Sequence, residues 1–187
     1  PNLIKYPYEN PFKGTVSVLQ TAQKKYKWQA KNFVAPPKED LVIYELLIRD
    51  FLASRKYRDV VNYIPYLKNL GINAIELLPV NEFTGNESWG YNPTFYFAAD
   101  KAYGTNDDLK YLIDKCHENG IAVILDVVFN QKNKKFSYFK AYTDYSNKYY
   151  EHPFFNQKAT HPYSVFFDFN HESKYTQVFF DDVCRFW

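Results

Sequence analysis

Carboxylates set inside apolar runs are the residues of this chain with the clearest chemical potential. Asp126 interrupts Ile121–Phe129, Glu45 interrupts Leu41–Ile48 and Glu76 interrupts Ile72–Leu78. A carboxylate in such a run is costly to bury unless it is paired, so Asp126 requires a partner. Carboxyl groups do acid–base or nucleophilic work when they are placed against a reacting bond. Glu45 and Glu76 lie within their strands and read as paired interior residues, not as catalysts. His117, His152, His161 and His171 show no metal-ligand spacing and no neighbouring nucleophile motif, so packing or surface roles are expected. Cys116 and Cys184 occupy apolar positions of expected helices and read as two buried free thiols in preference to a disulfide, a choice that their spacing does not settle.

Aromatic rings are the second chemical resource. The 187 residues include 18 Tyr, 17 Phe and 3 Trp, 20% of the chain. Flat rings pack well against the C–H faces of sugars, although most aromatics in any protein serve the core. Apolar residues make up 46% and charged residues 24%, which excludes an intrinsically disordered chain. The net charge of +2 is too balanced to argue for nucleic acid or an anionic membrane as partner. No apolar run is long enough to cross a bilayer, and the charged, aromatic opening Pro1–Tyr8 does not resemble a signal peptide. The chain opens at Pro1, contains no Met, and closes on Cys184–Trp187 within an apolar-periodic stretch. The expectation is a portion of a longer protein, with any targeting segment upstream.

The elements that must position these residues alternate in type. Residues 1–40, punctuated by Pro7, Pro11, Gly14, Pro36 and Pro37, read as a linker or the exit from a preceding module, with a short β-like run at Thr15–Leu19. From Leu41 a nearly continuous apolar strand begins, as expected for a strand covered on both faces. Val60, Ile64, Leu67 and Leu70 then recur at helical spacing up to Gly71; Pro65 within that stretch predicts a kink or two short helices. A second strand follows at Ile72–Leu78. Thr105–Asp108 opens the next helix with a capping-box pattern, and Leu109, Leu112, Ile113 and Cys116 form its apolar stripe up to Gly120. A third strand covers Ile121–Phe129, a long aromatic-rich excursion spans 131–169, and a last helix begins near His171–Ser173. Strand–helix alternation of this kind predicts a parallel sheet, either doubly wound or part of a (β/α)₈ barrel. No Gly-rich phosphate loop follows a strand, and the long loops follow strands two and three, on the face where barrels build their sites.

Four motifs in order make the pattern specific. They are Ala74-Ile75-Glu76-Leu77-Leu78-Pro79-Val80, then Trp89-Gly90-Tyr91-Asn92-Pro93, then Tyr96-Phe97-Ala98 with Tyr103-Gly104-Thr105, and finally Asp126-Val127-Val128-Phe129-Asn130. The set resembles glycoside hydrolase family thirteen, the α-amylase family, and in particular its branching, debranching and neopullulanase-like members. The resemblance runs from about Leu41 to Trp187. It implies an α/β chain forming the first three strands of a TIM (β/α)₈ barrel, residues 41–187, with 131–169 as a loop subdomain after strand three. The upstream segment resembles the junction between a starch-binding β-sandwich and such a barrel.

The resemblance also assigns roles. Tyr91 matches the tyrosine that stacks on the sugar at the cleavage subsite, and Asp126 matches the aspartate of the D-V-V-x-N-H motif in the active-site network. Asn130 and Asp168 match oxygen ligands of the structural calcium found in some members. Two oxygen donors do not make a calcium site, however, and a hydrogen-bonded loop staple is the alternative. Gln131 stands where the family has a sugar-contacting histidine; it can hydrogen-bond but cannot carry charge. Val165-Phe166-Phe167 is bulkier than the usual stretch before Asp168. The family's nucleophile, acid/base glutamate and third carboxylate belong to strands four, five and seven, none of which is present, so this chain carries no catalytic residue of its own. Retaining hydrolysis needs two carboxyl groups about 5–5.5 Å apart. The implied function is part of an enzyme that hydrolyses or transfers α-glucosidic bonds of an α-glucan with retention, this portion supplying Tyr91, Asp126 and Gln131 and depending on the rest of its barrel. The alternative is a degenerate, non-catalytic relative that binds glycan or protein.

Overall fold

A computed structural model describes residues 2–5, 15–142, 152–163 and 166–187. The architecture is mixed α/β, and among the described residues no barrel closes. Two strands, β1 (Leu3–Lys5) and β2 (Thr15–Ser17), pair antiparallel. Strand β3 (Ile43–Leu46) runs into a helical turn, α1 (Ile48–Phe51). Helix α2 (Tyr57–Val60), a 3₁₀ turn at Val61–Tyr63 and helix α3 (Ile64–Asn69) follow. This is the two-helix solution that Pro65 predicts, with proline in the first turn of α3, where its missing N–H breaks no bond. Leu70 lies beyond the end of α3 and is exposed, so the apolar stripe is one residue shorter than the spacing suggested.

The chain then forms β4 (Ala74–Leu77), β5 (Asn81–Phe83), β6 (Pro93–Ala99), α4 (Asn106–Glu118) and β7 (Ala122–Leu125). Strands β3, β4 and β7 make one parallel sheet in that order, with Glu45 opposite Glu76 and Glu76 opposite Ile124. The three strands fall inside the runs expected from the sequence, and are shorter. Leu46, Ile75 and Leu77 point to the covered face of this sheet and are buried. The opposite face differs: apart from buried Ala74, it presents exposed Ile43 and Glu45 and half-buried Glu76, Ala122 and Ile124. Glu45 is therefore not an interior residue here, because nothing among the described residues covers its side of the strand.

Helix α4 has the capping box that its sequence announces. Thr105 accepts from the Asp108 amide at 3.2 Å, and the Asp108 carboxylate accepts from the Thr105 amide at 2.8 Å. Leu109, Leu112 and Cys116 face inward, and burial pushes the Cys116 thiol up to about 12. Gly71 and Gly120, at φ +82° and +74°, follow α3 and α4 in the left-handed conformation that suits glycine. Buried Asp114 was not legible as part of any stripe. Its carboxylate accepts from the amides of Gln29 and Ala30, at 3.0 and 2.9 Å, and from the Tyr26 hydroxyl at 3.0 Å. Phe33 stacks on His117 of the same helix, ring centroids 4.0 Å apart. Residues 26–33, expected to be part of a linker, are thus strapped to α4.

The described residues divide into two compact units, one of residues 1–80 with 98–126 and one of 81–97 with 127–187. The second contains β5, most of β6, the short strand β8 (Gln131–Lys132), helix α5 (Ser137–Tyr142), strand β9 (Phe167–Asp168) and helix α6 (Lys174–Phe186). Its core is aromatic: Tyr96, Phe136, Phe139, Phe154, Phe155, Phe169, Phe179 and Phe180 are buried with Val183. Phe136 alone meets Tyr96, Phe155, Phe169 and Phe179 edge to face, at centroid distances of 5.8–6.1 Å. Most of the chain's phenylalanines lie in or against this core. The stretch 131–169 is not simply irregular, since β8 and β9 pair antiparallel across it. Residues 143–151 and Val165 lie outside the described residues. Helix α6 begins where expected, but Cys184 lies on its solvent side and is exposed, so only one of the two thiols is buried.

Burial opposes ionisation of Asp114, yet the donated hydrogen bonds from Ala30, Gln29 and Tyr26 outweigh it and hold the carboxyl below the usual range. A depressed native carboxyl stabilises the fold above its unfolded value, and that contribution disappears as pH falls through the lower native value. Asp114→Ala should cost about 1–3 kcal/mol by leaving buried donors unmatched. Urea denaturation at neutral pH checks this, and the difference between variant and parent should shrink as the pH is lowered toward 3.

Candidate functional site

The loop between β5 and β6 carries Tyr91. Gly85 and Asn86 turn the chain with φ of +83° and +57°. The loop is then bracketed by hydrogen bonds: Ser88 Oγ donates to Asn92 Oδ1 at 2.8 Å, and the Thr84 amide donates to the Asn92 carbonyl at 3.3 Å. Thr84 and Thr94 hydroxyls meet at 3.2 Å. Gly90 and Pro93 are buried, while Tyr91 is 37% exposed and Trp89 60% exposed. Fixing a loop before a ligand arrives removes part of the ordering cost of binding.

Asp126 directly follows β7, at the C-terminal end of the parallel sheet, and its amide donates to Leu77 O at 2.9 Å. Its side chain is half-buried and engaged. Asp126 closes the first unit, whereas Tyr91 and Gln131 belong to the second.

Gln131, Asn130 and Asp168 come together on one short ribbon. Gln131 is paired with Asp168 in β8–β9, and the Phe169 amide donates to Asn130 O at 2.9 Å. Asp168 is buried. Its Oδ2 accepts from Asn156 Nδ2 at 2.8 Å and from the Thr160 amide and hydroxyl, both at 3.3 Å; His161 Nε2 lies 3.6 Å from Oδ1. Those partners present protons to the carboxylate, where calcium would demand a shell of further oxygens. The residues in place do not fit a calcium ion. Among the described residues no group of three or more His, Cys, Asp or Glu could hold a metal. The arrangement is a staple that ties residues 156–161 to the ribbon bearing Gln131.

Sequence reasoning missed Lys132, the other residue of β8. Its side chain is 1% exposed, its Nζ finds no hydrogen-bond partner among the described residues, and it lies 4.5 Å from the centroid of the Tyr96 ring and 5.6 Å from that of Phe136. The faces of these two rings stand where water would otherwise solvate the amine. A lysine within an otherwise polar run gives no sign of burial, so no signal in the sequence identified it. A cleft of about 500 Å³ was also missed. It lies beside β3 in the first unit, lined by Tyr44, Glu45, Asp50, Phe51, Tyr63 and Tyr66 among others.

The alpha-amylase catalytic-domain family model matches residues 56–184. The chain belongs to the alpha-amylase family. A malto-oligosyltrehalose trehalohydrolase from Saccharolobus solfataricus is 34% identical over 145 residues, which cover 78% of this chain and 24% of that protein. A 1,4-alpha-glucan branching enzyme from Oceanobacillus iheyensis is 40% identical over 126 residues, 61% of this chain and 20% of the enzyme. Among solved structures, a putative alpha amylase from Salmonella typhimurium superposes with a TM-score of 0.74 at 26% identity, covering 94% of this chain and 28% of that one. The chain spans about a quarter or less of the length of these two curated relatives. Among the described residues no helix is long and apolar enough to cross a membrane.

Burial lowers the Lys132 amine to about 6. An unfolded lysine keeps its proton to about pH 10.4. The unfolded chain therefore binds more protons between these values, and stability should rise with pH across that window. Urea midpoints measured at several pH values should show the rise in the parent and a flatter profile in Lys132→Met.

Proposed function

We propose that this chain is the opening part of an enzyme that hydrolyses or transfers α-glucosidic bonds of an α-glucan with retention of configuration. On this reading β3, β4 and β7 are the first three strands of a (β/α)₈ barrel, and residues 41–187 belong to its catalytic domain. The observation that carries the proposal is the in-register parallel sheet, whose last strand is followed directly by Asp126, in a chain of the alpha-amylase family. Parallel sheets are normally buried on both faces. The open face with Ile43 and Glu45, and the aromatic cleft beside β3, suit coverage by further strands and helices.

Tyr91, Asp126 and Gln131 are the proposed substrate-binding residues. The Tyr91 ring stacks on the sugar at the cleavage point and holds it in a reactive orientation. Gln131 hydrogen-bonds a sugar hydroxyl, and Asp126 supports the polar network with its negative charge. The nucleophile and the proton donor come from outside these residues, because retaining chemistry requires two carboxyl groups flanking the scissile bond. The names of the relatives, a trehalohydrolase and a branching enzyme, support α-glucan as substrate class. A second reading rests on Gln131, which replaces the histidine of the family motif: the protein binds glycan without cleaving it.

The purified 187-residue chain should release no reducing ends from starch or maltooligosaccharides, whereas a longer polypeptide containing the remaining strands should. Activity of the short chain that disappears on substituting Glu45 or Glu76 would overturn the assignment. Glucan binding without turnover by the longer polypeptide would favour the second reading.

A further inference from the structure

Residues 127–130 belong to no strand, yet they lead directly into Gln131. Hydrogen bonds from other segments of the second unit hold this connection. The Tyr96 hydroxyl donates to Val128 O at 2.8 Å, and the Phe169 amide donates to Asn130 O at 2.9 Å. Between them, His171 Nε2 lies 2.8 Å from Phe129 O. A carbonyl oxygen can only accept, so Nε2 carries the proton and donates. Successive carbonyls at Val128, Phe129 and Asn130 thus each have a donor, and an imidazole supplies the middle one, two residues before Gln131.

The ring of His171 is itself held. It stacks on Phe180 of α6, with centroids 5.7 Å apart and planes 21° from parallel, and Phe129 packs on the same Phe180 ring at 4.4 Å. The His171 carbonyl accepts from Gln177 Nε2 at 2.8 Å, which ties the residue to the start of α6. Just before it, the Asn170 amide donates to Phe154 O at 2.9 Å, and Asn170 Oδ1 accepts from the Glu172 amide at 3.0 Å. His171 is nevertheless exposed, so packing alone does not call for a histidine: a phenylalanine would cover Phe180 as well. What the imidazole adds is an N–H at the edge of the ring, directed at the Phe129 carbonyl. A backbone fixed in this way before the ligand arrives spares part of the ordering cost of binding.

We infer that His171 is a positioning residue for Gln131: its Nε2–H fixes the Phe129 carbonyl, and with it the path of the chain that presents the Gln131 amide to a sugar hydroxyl. The inference rests on the proposed glucan-binding role of Gln131 and adds the residue that sets its place. His171 acts through the backbone and needs no contact with the sugar.

Long-range proton–nitrogen NMR of the labelled full chain at about pH 8, above the ordinary histidine range, should show the proton of neutral His171 on Nε2. His171→Phe keeps a ring for Phe180 and removes the donor, whereas His171→Gln keeps a donor near the place of Nε2. Because His171 is a surface residue, both variants should remain folded by circular dichroism. His171→Phe should shift the amides of Phe129, Asn130 and Gln131. In calorimetry it should weaken maltoheptaose binding about two- to tenfold, the span of one hydrogen bond. His171→Gln should recover most of that affinity. The double variant separates positioning from general support: in a Gln131→Ala background, His171→Phe should weaken binding almost no further. An equal loss in both backgrounds, or a proton on Nδ1 in place of Nε2, would overturn the inference. So would a His171→Phe chain that binds like the parent while Gln131→Ala binds less well, and the role of Gln131 would then stand. If the parent chain binds no maltoheptaose at millimolar concentration, or Gln131→Ala binds it as the parent does, the sugar-binding role of Gln131 fails and the inference with it.

Discussion

The packing of the second unit depends on Tyr96. Its carbonyl accepts two side-chain donors, Asn81 Nδ2 at 2.8 Å and Trp187 Nε1 at 2.7 Å, and its hydroxyl donates to Val128 O at 2.8 Å. Its ring meets Phe136, Phe179 and Phe180 edge to face and lies under the Lys132 amine. One residue of β6 thus holds the strand before it, the segment leading into β8 and the end of α6. Removing the whole side chain of a buried aromatic commonly costs about 3–5 kcal/mol. Here the loss would also release the hydroxyl's hold on Val128 O, on the segment leading to the ribbon carrying Gln131. The low-polarity setting that makes this packing effective also raises the Tyr96 hydroxyl pKa and, among the described residues, leaves Lys132 without a hydrogen-bond partner.

The first unit is organised by a different constraint. Parallel pairing sets Glu45 beside Glu76 and brings Asp126 just past the last paired residue. Asp114 extends this framework upstream by satisfying backbone donors of a segment more than eighty residues earlier in the chain. That clamp ties residues 26–30 to α4, ahead of the proline pair at 36–37 in the stretch that reads as a linker. Both carboxylate solutions follow from one rule: a buried charge persists where donors reach it. Asp114 and Asp168 meet it with backbone and side-chain N–H groups.

What could be read from the sequence was local. Pro65 foretold the break between α2 and α3, Thr105 and Asp108 foretold the start of α4, and apolar runs located β3, β4 and β7. The motif containing Tyr91 was visible, as was Asp126 at the end of a strand. The pairings of Asp114 with residues 26–30 and of β8 with β9 join segments that share no periodicity, so only tertiary structure reveals them. Cys184 and Glu45 were misread because an apolar neighbourhood in sequence does not determine which side of an element is covered. Lys132 is the reverse case, a polar residue taken into an aromatic core by the path of its ribbon.

The loop and strand ends bearing Tyr91, Asp126 and Gln131 are proposed to bind α-glucan. Two-dimensional NMR of the isotope-labelled chain titrated with maltoheptaose examines it most directly. Saturable shifts are expected at the amides of residues 89–91, at Asp126 and at Gln131, with little change around the Tyr44–Tyr66 cleft. Shifts concentrated at that cleft, with residues 89–91, Asp126 and Gln131 unmoved, would contradict it.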